Sequence, residues 1–159
     1  DYYKVILDSS RYFPLWWNTV FSIHGRLGYA QGLRGKALPQ GERFFVGGLN
    51  SIRGFEFGEA GPIQAGDVIG GNKQLIFNTE YAFPILTEAK LKGVIFFDAG
   101  RGFDNVERIK FSGLRYGAGF GIRLLLPIGP IRLEWGKNLN PKPGEKSGFL
   151  PEFSIGTLF

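Results

Sequence analysis

The sequence contains no cysteine and no methionine, and His24 is its only histidine. Without cysteine there can be no disulfide, no thiolate metal ligand and no cysteine nucleophile. One histidine also leaves no credible cluster of metal ligands, so we expect neither a metal nor another cofactor. Long hydrophobic runs are missing too. No stretch reaches the roughly 18 apolar residues that indicate a transmembrane helix.

Charge of one sign is not concentrated anywhere. The 19 Lys and Arg residues outnumber the 14 Asp and Glu residues, which gives a net charge of +5. These basic residues are scattered through predicted strands and loops and form no basic block. Nucleic-acid binding proteins usually gather their cations into a patch or stripe. We therefore do not expect nucleic acid as a partner.

Glycine and phenylalanine are abundant, with 25 and 16 residues among 159. Hydrophobic residues nevertheless make up only 43% of the chain, and the mean hydropathy is −0.04. Such moderate hydropathy is typical of membrane β-barrels, whose strands are apolar on one face only.

Alternation of apolar and polar residues predicts about seven strands. We place them at residues 2–13, 16–30, 72–83, 90–102, 110–126, 131–137 and 149–159. Short turns near Pro14, Pro84 and Pro127 alternate with longer loops, as in outer-membrane barrels. A soluble β-sandwich also alternates, but the strand lengths and the glycine- and arginine-rich second face favour the membrane protein. The predicted fold class is therefore an all-β, antiparallel transmembrane β-barrel.

The longest predicted connection, residues 31–71, contains the motif Ile52-Arg53-Gly54-Phe55. Connections of this length in a compact domain usually carry function. The same tetrapeptide belongs to a wider set of matching segments. These are Tyr2-Tyr3-Lys4-Val5, Phe44-Phe45-Val46-Gly47-Gly48, Phe97-Asp98-Ala99-Gly100 and Pro127-Ile128-Gly129-Pro130.

With these segments the whole chain resembles the BamA-like outer-membrane β-barrel assembly factors of the bacterial surface antigen superfamily. Ile52 stands where that family often has valine. The resemblance implies a barrel of about sixteen strands that follows periplasmic POTRA domains. Residues 1–159 would be its C-terminal part, without the POTRA domains, and the 31–71 loop would insert into the lumen.

The resemblance also implies a function: folding and inserting β-barrel proteins into the outer membrane of Gram-negative bacteria. A protein-translocating pore of the two-partner-secretion or TamA-like type and a structural barrel anchor remain alternatives. The implied partners are unfolded outer-membrane proteins, accessory assembly lipoproteins, membrane lipid and lipopolysaccharide.

Arg53 has two candidate partners. Alternation places Glu80 and Asp98 on the polar faces of consecutive strands, and the resemblance brings the Arg53 loop to that wall. A guanidinium group can fork onto carboxylates as lysine cannot. The competing interpretation is an exposed arginine with weak surface ion pairs. Phe55 and Phe57 are expected to pack the loop against the wall.

Paired carboxylates also raise the alternative of an enzyme with acid/base chemistry. An arginine partner would keep both acids ionised, so we predict no enzymatic activity and no catalytic residue. At the other end of the chain, Phe153, Ile155, Gly156 and Phe159 resemble the C-terminal targeting signal of outer-membrane barrels. The competing interpretation is an ordinary last strand with its aromatic belt.

Overall fold

The computed structural model describes residues 1–156 and contains nine strands in that range. The strands are β1 (Tyr2–Pro14), β2 (Val20–Gly32), β3 (Ile63–Gln64), β4 (Asp67–Val68), β5 (Lys73–Leu86), β6 (Leu91–Phe103), β7 (Arg115–Leu126), β8 (Gly129–Asn138) and β9 (Phe149–Ile155). Seven of them form one antiparallel sheet in the order β1-β2-β5-β6-β7-β8-β9, and β3 pairs with β4 alone. The prediction of an antiparallel sheet of about seven strands is confirmed.

The large sheet is a meander in which every strand pairs with its neighbours along the chain, apart from the small β3–β4 hairpin. Within residues 1–156, β1 and β9 do not pair with each other, so these strands form an open sheet. The part of the chain that the structure describes has no helix long and apolar enough to cross a membrane.

The two faces of the sheet differ in character. The apolar face carries aromatic pairs across neighbouring strands, for example Phe120 and Trp135 with ring centroids 5.4 Å apart. Many of its large side chains are exposed, whereas charged side chains on the polar face, such as Asp98 and Arg132, are buried. Apolar side chains are thus exposed and charged side chains are buried, which is the reverse of a soluble protein and is expected where lipid covers the apolar face.

Several predicted boundaries are wrong. The second strand does not start at position 16, because Trp16–Asn18 form a 3-10 turn with positive φ at Trp17 and Asn18. The strand predicted at 110–126 starts at Arg115, after Gly113 has turned the backbone with a φ of 71°. Among the described residues the longest strand is β5, with 14 residues, rather than the segment predicted at 110–126. The last described strand ends at Ile155, and positions 157–159 lie outside the described residues.

The long connection between β2 and β5 is ordered rather than a featureless loop. It contains a 3-10 turn at Gln40–Glu42 and the β3–β4 hairpin. It also brings its own apolar residues, which form a buried cluster with one residue of β5. The cluster consists of Val46, Ile52, Phe55, Ala60 and Ile76. The connection thereby covers the polar face with a hydrophobic core of its own.

Candidate functional site

The motif loop, residues 47–55, is shaped by its own backbone. The Gly48 N–H donates to the Ile52 carbonyl at 2.9 Å, and the Gly47 N–H donates to Ser51 Oγ at 2.8 Å. Gly54 adopts a φ of 96°, which side chains with a Cβ rarely tolerate. The tight loop directs Arg53 at the sheet.

Arg53 and Asp98 form a bidentate pair. Arg53 Nε lies 2.7 Å from Asp98 Oδ2, and Nη2 lies 2.7 Å from Oδ1. The backbone N–H of Arg53 donates to the same Oδ2 at 2.9 Å. Arg53 is 3% exposed and Asp98 is 0% exposed. In such a site a charged pair is retained only because its hydrogen bonds are complete.

Two more carboxylates complete the surroundings of Arg53. Its Nη1 donates to Glu80 Oε1 and lies 3.4 Å from Glu134 Oε1. The guanidinium carbon also lies 3.7 Å from the centroid of the Phe96 ring. A cation over an aromatic face is stabilised by the ring quadrupole, most strongly where water is excluded.

Two further arginines neutralise these acids. Arg123 donates to both oxygens of Glu80 at 2.8 and 3.0 Å and to Glu134 Oε1 at 2.7 Å. Arg132 Nη2 donates to Glu134 Oε2 at 3.1 Å. The arginine–carboxylate cluster thus contains three cations and three anions. Its members are Arg53, Arg123, Arg132, Glu80, Asp98 and Glu134.

The charge on Arg53 is secured by this arrangement. Burial acts to lower the pKa of Arg53, but the hydrogen bonds and charge of Asp98 outweigh burial. The charges of Glu80 and Glu134 add to the effect, and the pKa of Arg53 lies above its usual range. The motif loop is therefore tied to the sheet by a permanent cation.

Close backbone contacts also hold the motif loop against the sheet. A Cβ on Gly136 would lie 2.8 Å from the Arg53 carbonyl carbon, and one on Gly117 would lie 3.1 Å from it. A Cβ on Gly54 would lie 2.7 Å from the Lys137 carbonyl carbon. Glycine at these three positions lets the loop backbone lie directly on β7 and β8.

A fourth arginine, Arg115, holds a further loop over the site. Arg115 donates to both carboxylate oxygens of Glu145, with Nη1 to Oε2 at 3.1 Å, and its guanidinium carbon lies 5.0 Å from the Phe55 ring centroid. Its Nη2 also donates to the Asn140 carbonyl at 3.2 Å. The loop after β8, residues 139–148, is thereby held over Phe55. We call this segment the covering loop.

Glu145 is the acceptor on which the covering loop depends. Burial acts to raise the pKa of Glu145, but hydrogen bonds from Arg115, the Lys142 backbone and Asn138 outweigh burial. The pKa of Glu145 is consequently lower than that of an ordinary glutamate. The carboxylate is ionised at neutral pH, and the covering loop stays attached.

The structure places the predicted site residues as follows. Arg53 contacts both Glu80 and Asp98, and Ile52 and Phe55 are fully buried beneath the loop. Phe57 departs from the expectation: it is exposed, and its ring stacks on Phe45 of the same connection with centroids 5.3 Å apart, so it packs within the connection rather than against the wall.

Sequence reasoning missed Glu134, Arg123, Arg132 and Phe96. The two arginines and Glu134 lie on the same polar face as Asp98, and alternation along each strand predicts that face for them. Register decides which of them meet: Glu134 pairs with Gly121, and Arg123 pairs with Arg132. Alternation along one strand gives no information about register between strands.

The C-terminal residues lie apart from the cluster. Phe153 and Ile155 are exposed on the apolar face of β9. Gly156 follows the strand with a φ of 83°, and its N–H donates to the Pro130 carbonyl at 2.8 Å. Phe159 lies outside the described residues. Among residues 1–156, no group of three or more acidic or histidine side chains is arranged to hold a metal ion.

Comparison with known protein families shows the family to which this chain belongs. The model of the Omp85 superfamily domain matches residues 1–159. The chain belongs to the Omp85 superfamily. An Omp85 chain from Nitratidesulfovibrio vulgaris, named outer membrane protein assembly factor BamA, is 32% identical over 165 residues and matches the whole of this chain. A protein of the same name from Neisseria meningitidis serogroup B is 30% identical over 192 residues, again across the whole chain.

Another relative, which matches a smaller part of the chain, carries the name of a chloroplast protein. Outer envelope protein 80 of Arabidopsis thaliana is 33% identical over 112 residues, which cover 65% of this chain and 14% of the relative. The crystal structure of Haemophilus ducreyi BamA lacking POTRA domains 1–3 superposes with a TM-score of 0.79 at 24% identity. The superposition covers 96% of this chain and 35% of the other, and it shows that the two share a fold.

These matches place this Omp85 chain in an outer membrane, as a multi-pass segment of a β-barrel protein. The chain spans 21% and 24% of the length of the two bacterial relatives. Both relatives are named outer membrane protein assembly factors.

Proposed function

We propose that this chain is the C-terminal barrel portion of a bacterial outer-membrane assembly factor that folds and inserts other β-barrel proteins. Support comes from similarity across the whole chain to two proteins that carry the name of such a factor. The observation that carries the proposal at the level of residues is the pairing of Arg53 with Asp98, which ties the motif loop to the polar face.

In this proposal the polar face lines the barrel lumen and the motif loop is an internal brace. Arg53 contacts side chains from β5, β6 and β8, so one loop residue ties three strands together. A brace of this kind keeps the wall in one shape while neighbouring strands exchange partners. Asp98 accepts three hydrogen bonds from Arg53, which leaves it unsuited to acid/base catalysis.

The proposed partners follow from that role. They are unfolded outer-membrane proteins as substrates, accessory assembly lipoproteins, and the lipid and lipopolysaccharide around the barrel. Phe153, Ile155, Gly156 and Phe159 are proposed as the targeting signal of the last strand. The exposed positions of Phe153 and Ile155 on the apolar face support this assignment.

The test is insertion of an unfolded barrel protein into vesicles that contain the full-length protein. We expect wild type to accelerate insertion and Arg53→Lys to slow it, because a lysine cannot reproduce the bidentate pair. Arg34→Lys is the matched control, since Arg34 lies in the same connection and is exposed.

The contradicting result is a correctly folded wild-type protein that gives no acceleration over empty vesicles. Steady ion conductance together with transport of an unfolded chain across the bilayer would instead favour a translocating pore. A folded protein with neither activity would favour a structural anchor.

A further inference from the structure

The turn between β1 and β2 presents two tryptophans to its surroundings. Trp16 is 78% exposed and Trp17 is 87% exposed. The turn is nevertheless well ordered: the Leu15 N–H donates to the Thr19 carbonyl at 2.8 Å, and Thr19 Oγ1 donates to the Trp16 carbonyl at 2.7 Å. Trp17 has a φ of 58°, a left-handed conformation that is costly for residues other than glycine. Within residues 1–156, no contact compensates for the free-energy cost of exposing these two indole rings to water.

Their depth relative to the membrane follows from the register. Aromatic pairs on the apolar face lie at Tyr3–Tyr29 and at Phe13–Phe21. The ten residue-to-residue steps from Tyr3 to Phe13 span about 33 Å of strand. For a strand tilted by about 40° this corresponds to roughly 25 Å along the membrane normal, the height of the apolar band of outer-membrane barrels. The two aromatic pairs therefore mark the two membrane boundaries.

Trp16 and Trp17 lie just beyond the Phe13–Phe21 boundary, at the end of the sheet where the connections are short. Short turns of outer-membrane barrels face the periplasm. Indole rings favour the headgroup layer, where one edge is apolar and the N–H reaches water. The tryptophan turn thus continues the lipid-facing surface into the headgroups of the periplasmic leaflet.

Arg11 adds a positive charge that is complementary to lipid phosphate. Arg11 shares the apolar face with Phe13 and is exposed, and it forms no ion pair with any residue in the range 1–156. It lies two residues inside the boundary, or about 5 Å along the normal at that tilt. An arginine on the lipid face is tolerated near the interface and not at the midplane. Its long stem can carry the guanidinium to the phosphate level.

We propose that Arg11, Trp16 and Trp17 form a binding site for phospholipid headgroups in the periplasmic leaflet and fix the depth of the β1–β2 hairpin there. The ligand is the phosphate of a glycerophospholipid: Arg11 supplies the cation, and the two exposed indole rings lie in the same headgroup layer. This proposal depends on the outer-membrane location and is independent of the assembly activity.

Tryptophan fluorescence tests the position of the turn. The full-length protein is placed in vesicles whose lipids carry bromine near the headgroup end or near the terminal methyl of the acyl chain. The difference in emission between wild type and Trp16→Phe/Trp17→Phe reports the two indoles. We expect bromine near the headgroup to quench this emission more than bromine near the methyl end, and acrylamide to quench it weakly.

Trp135 is the control, because it lies on the apolar face among other rings. The difference between wild type and Trp135→Phe shows that brominated lipid reaches the protein. If Trp135 is quenched by lipid while Trp16 and Trp17 are quenched by acrylamide alone, the turn lies in water and the proposal fails. Protection of the indoles from both quenchers would indicate a protein partner and would overturn it as well.

Lipid retention tests Arg11 separately. The protein is released from detergent micelles containing phosphatidylglycerol, and bound lipid is counted by native mass spectrometry. One basic residue at a membrane surface contributes about five-fold in affinity for anionic lipid. We expect Arg11→Gln to lower retention by about that factor and Arg34→Gln to leave it unchanged. Equal retention by wild type and Arg11→Gln would remove Arg11 from the site.

Discussion

Arg53 and Asp98 lie 45 positions apart in the sequence and are joined by three hydrogen bonds, two from the guanidinium group and one from the backbone N–H. One carboxylate therefore fixes both the side chain and the main chain of the motif loop. Loss of Asp98 would free the loop path as well as the arginine.

A double-mutant cycle measures this pair. Removing one partner of a buried ion pair costs about 3–5 kcal/mol, because the other charge is left unpaired. We expect Arg53→Gln and Asp98→Asn each to destabilise the protein by about that amount, and the double variant to lose much less than the sum. The free energy of unfolding in urea, measured in lipid vesicles, gives the coupling. Additive losses would contradict a direct contact.

Phe96 contributes to the same cation through its ring. A desolvated cation–π contact is worth about 2 kcal/mol, so Phe96→Leu is expected to lower the free energy of unfolding by about that amount while the strand stays intact. Phe111→Leu is the control, because Phe111 is exposed and does not contact Arg53. Equal losses in the two variants would show that ring packing alone accounts for the effect.

Gly136 tests the close passage of the motif loop over β8. Gly136→Ala is expected to displace the loop, because the added methyl group would lie 2.8 Å from the Arg53 carbonyl carbon. Greater amide hydrogen exchange across residues 47–55 would report the displacement. Gly148→Ala is the matched control, since a methyl group there meets nothing within 4 Å. Unchanged exchange in Gly136→Ala would mean that the loop is seated elsewhere.

Glu134 tests the balance of the cluster. Glu134→Gln keeps the shape of the side chain and leaves three guanidinium groups with two carboxylates. We expect a loss of about 3 kcal/mol in the free energy of unfolding, within the range for an uncompensated buried charge. Glu88→Gln is the control on the exposed turn between β5 and β6. A stabilised Glu134→Gln variant would show that the cluster is not balanced by charge.

The covering loop should respond to acid. The pKa of Glu145 is lowered in the folded protein, so its contribution to stability is complete above the ordinary glutamate pKa of about 4.3. That contribution is lost as the pH falls through the lowered value, when the carboxylate is protonated and its bonds to Arg115 weaken. Proteolysis of residues 139–148 should then increase at low pH with an acid-active protease. Glu145→Gln should be cleaved readily at every pH, and a pH response that persists in this variant would implicate another group.

Much of this architecture was predictable from the sequence because alternation is a local property. The pattern around Glu80 and Asp98 assigns them to the polar face, and family resemblance brings Arg53 to that face. Trp16–Asn18 was not predictable in this way: two aromatic residues extend the apolar pattern, yet backbone hydrogen bonds turn the chain there. The pattern cannot detect a left-handed φ at a tryptophan.

The full cluster was harder to predict for a different reason. Glu134 meets Arg53 across 81 positions, and the contact depends on the register of three strand pairs and on the path of the loop. Gly136 and Gly117 are the residues in the sequence that reflect this contact, because only glycine lets the loop backbone pass so close to β7 and β8. The two glycines indicate a contact with the loop only when the position of the loop backbone is known.

The sequence separations around Arg53 also determine the order in which the protein can be assembled. Its partners follow it by 27, 45 and 81 positions, and contacts between distant residues form slowly because long loops must close first. The arginine cannot acquire its third carboxylate until β8 has been laid against β7. The motif loop therefore reaches its final position only after β8 has paired with β7, and a chain interrupted before β8 leaves the Arg53 cation without its third carboxylate.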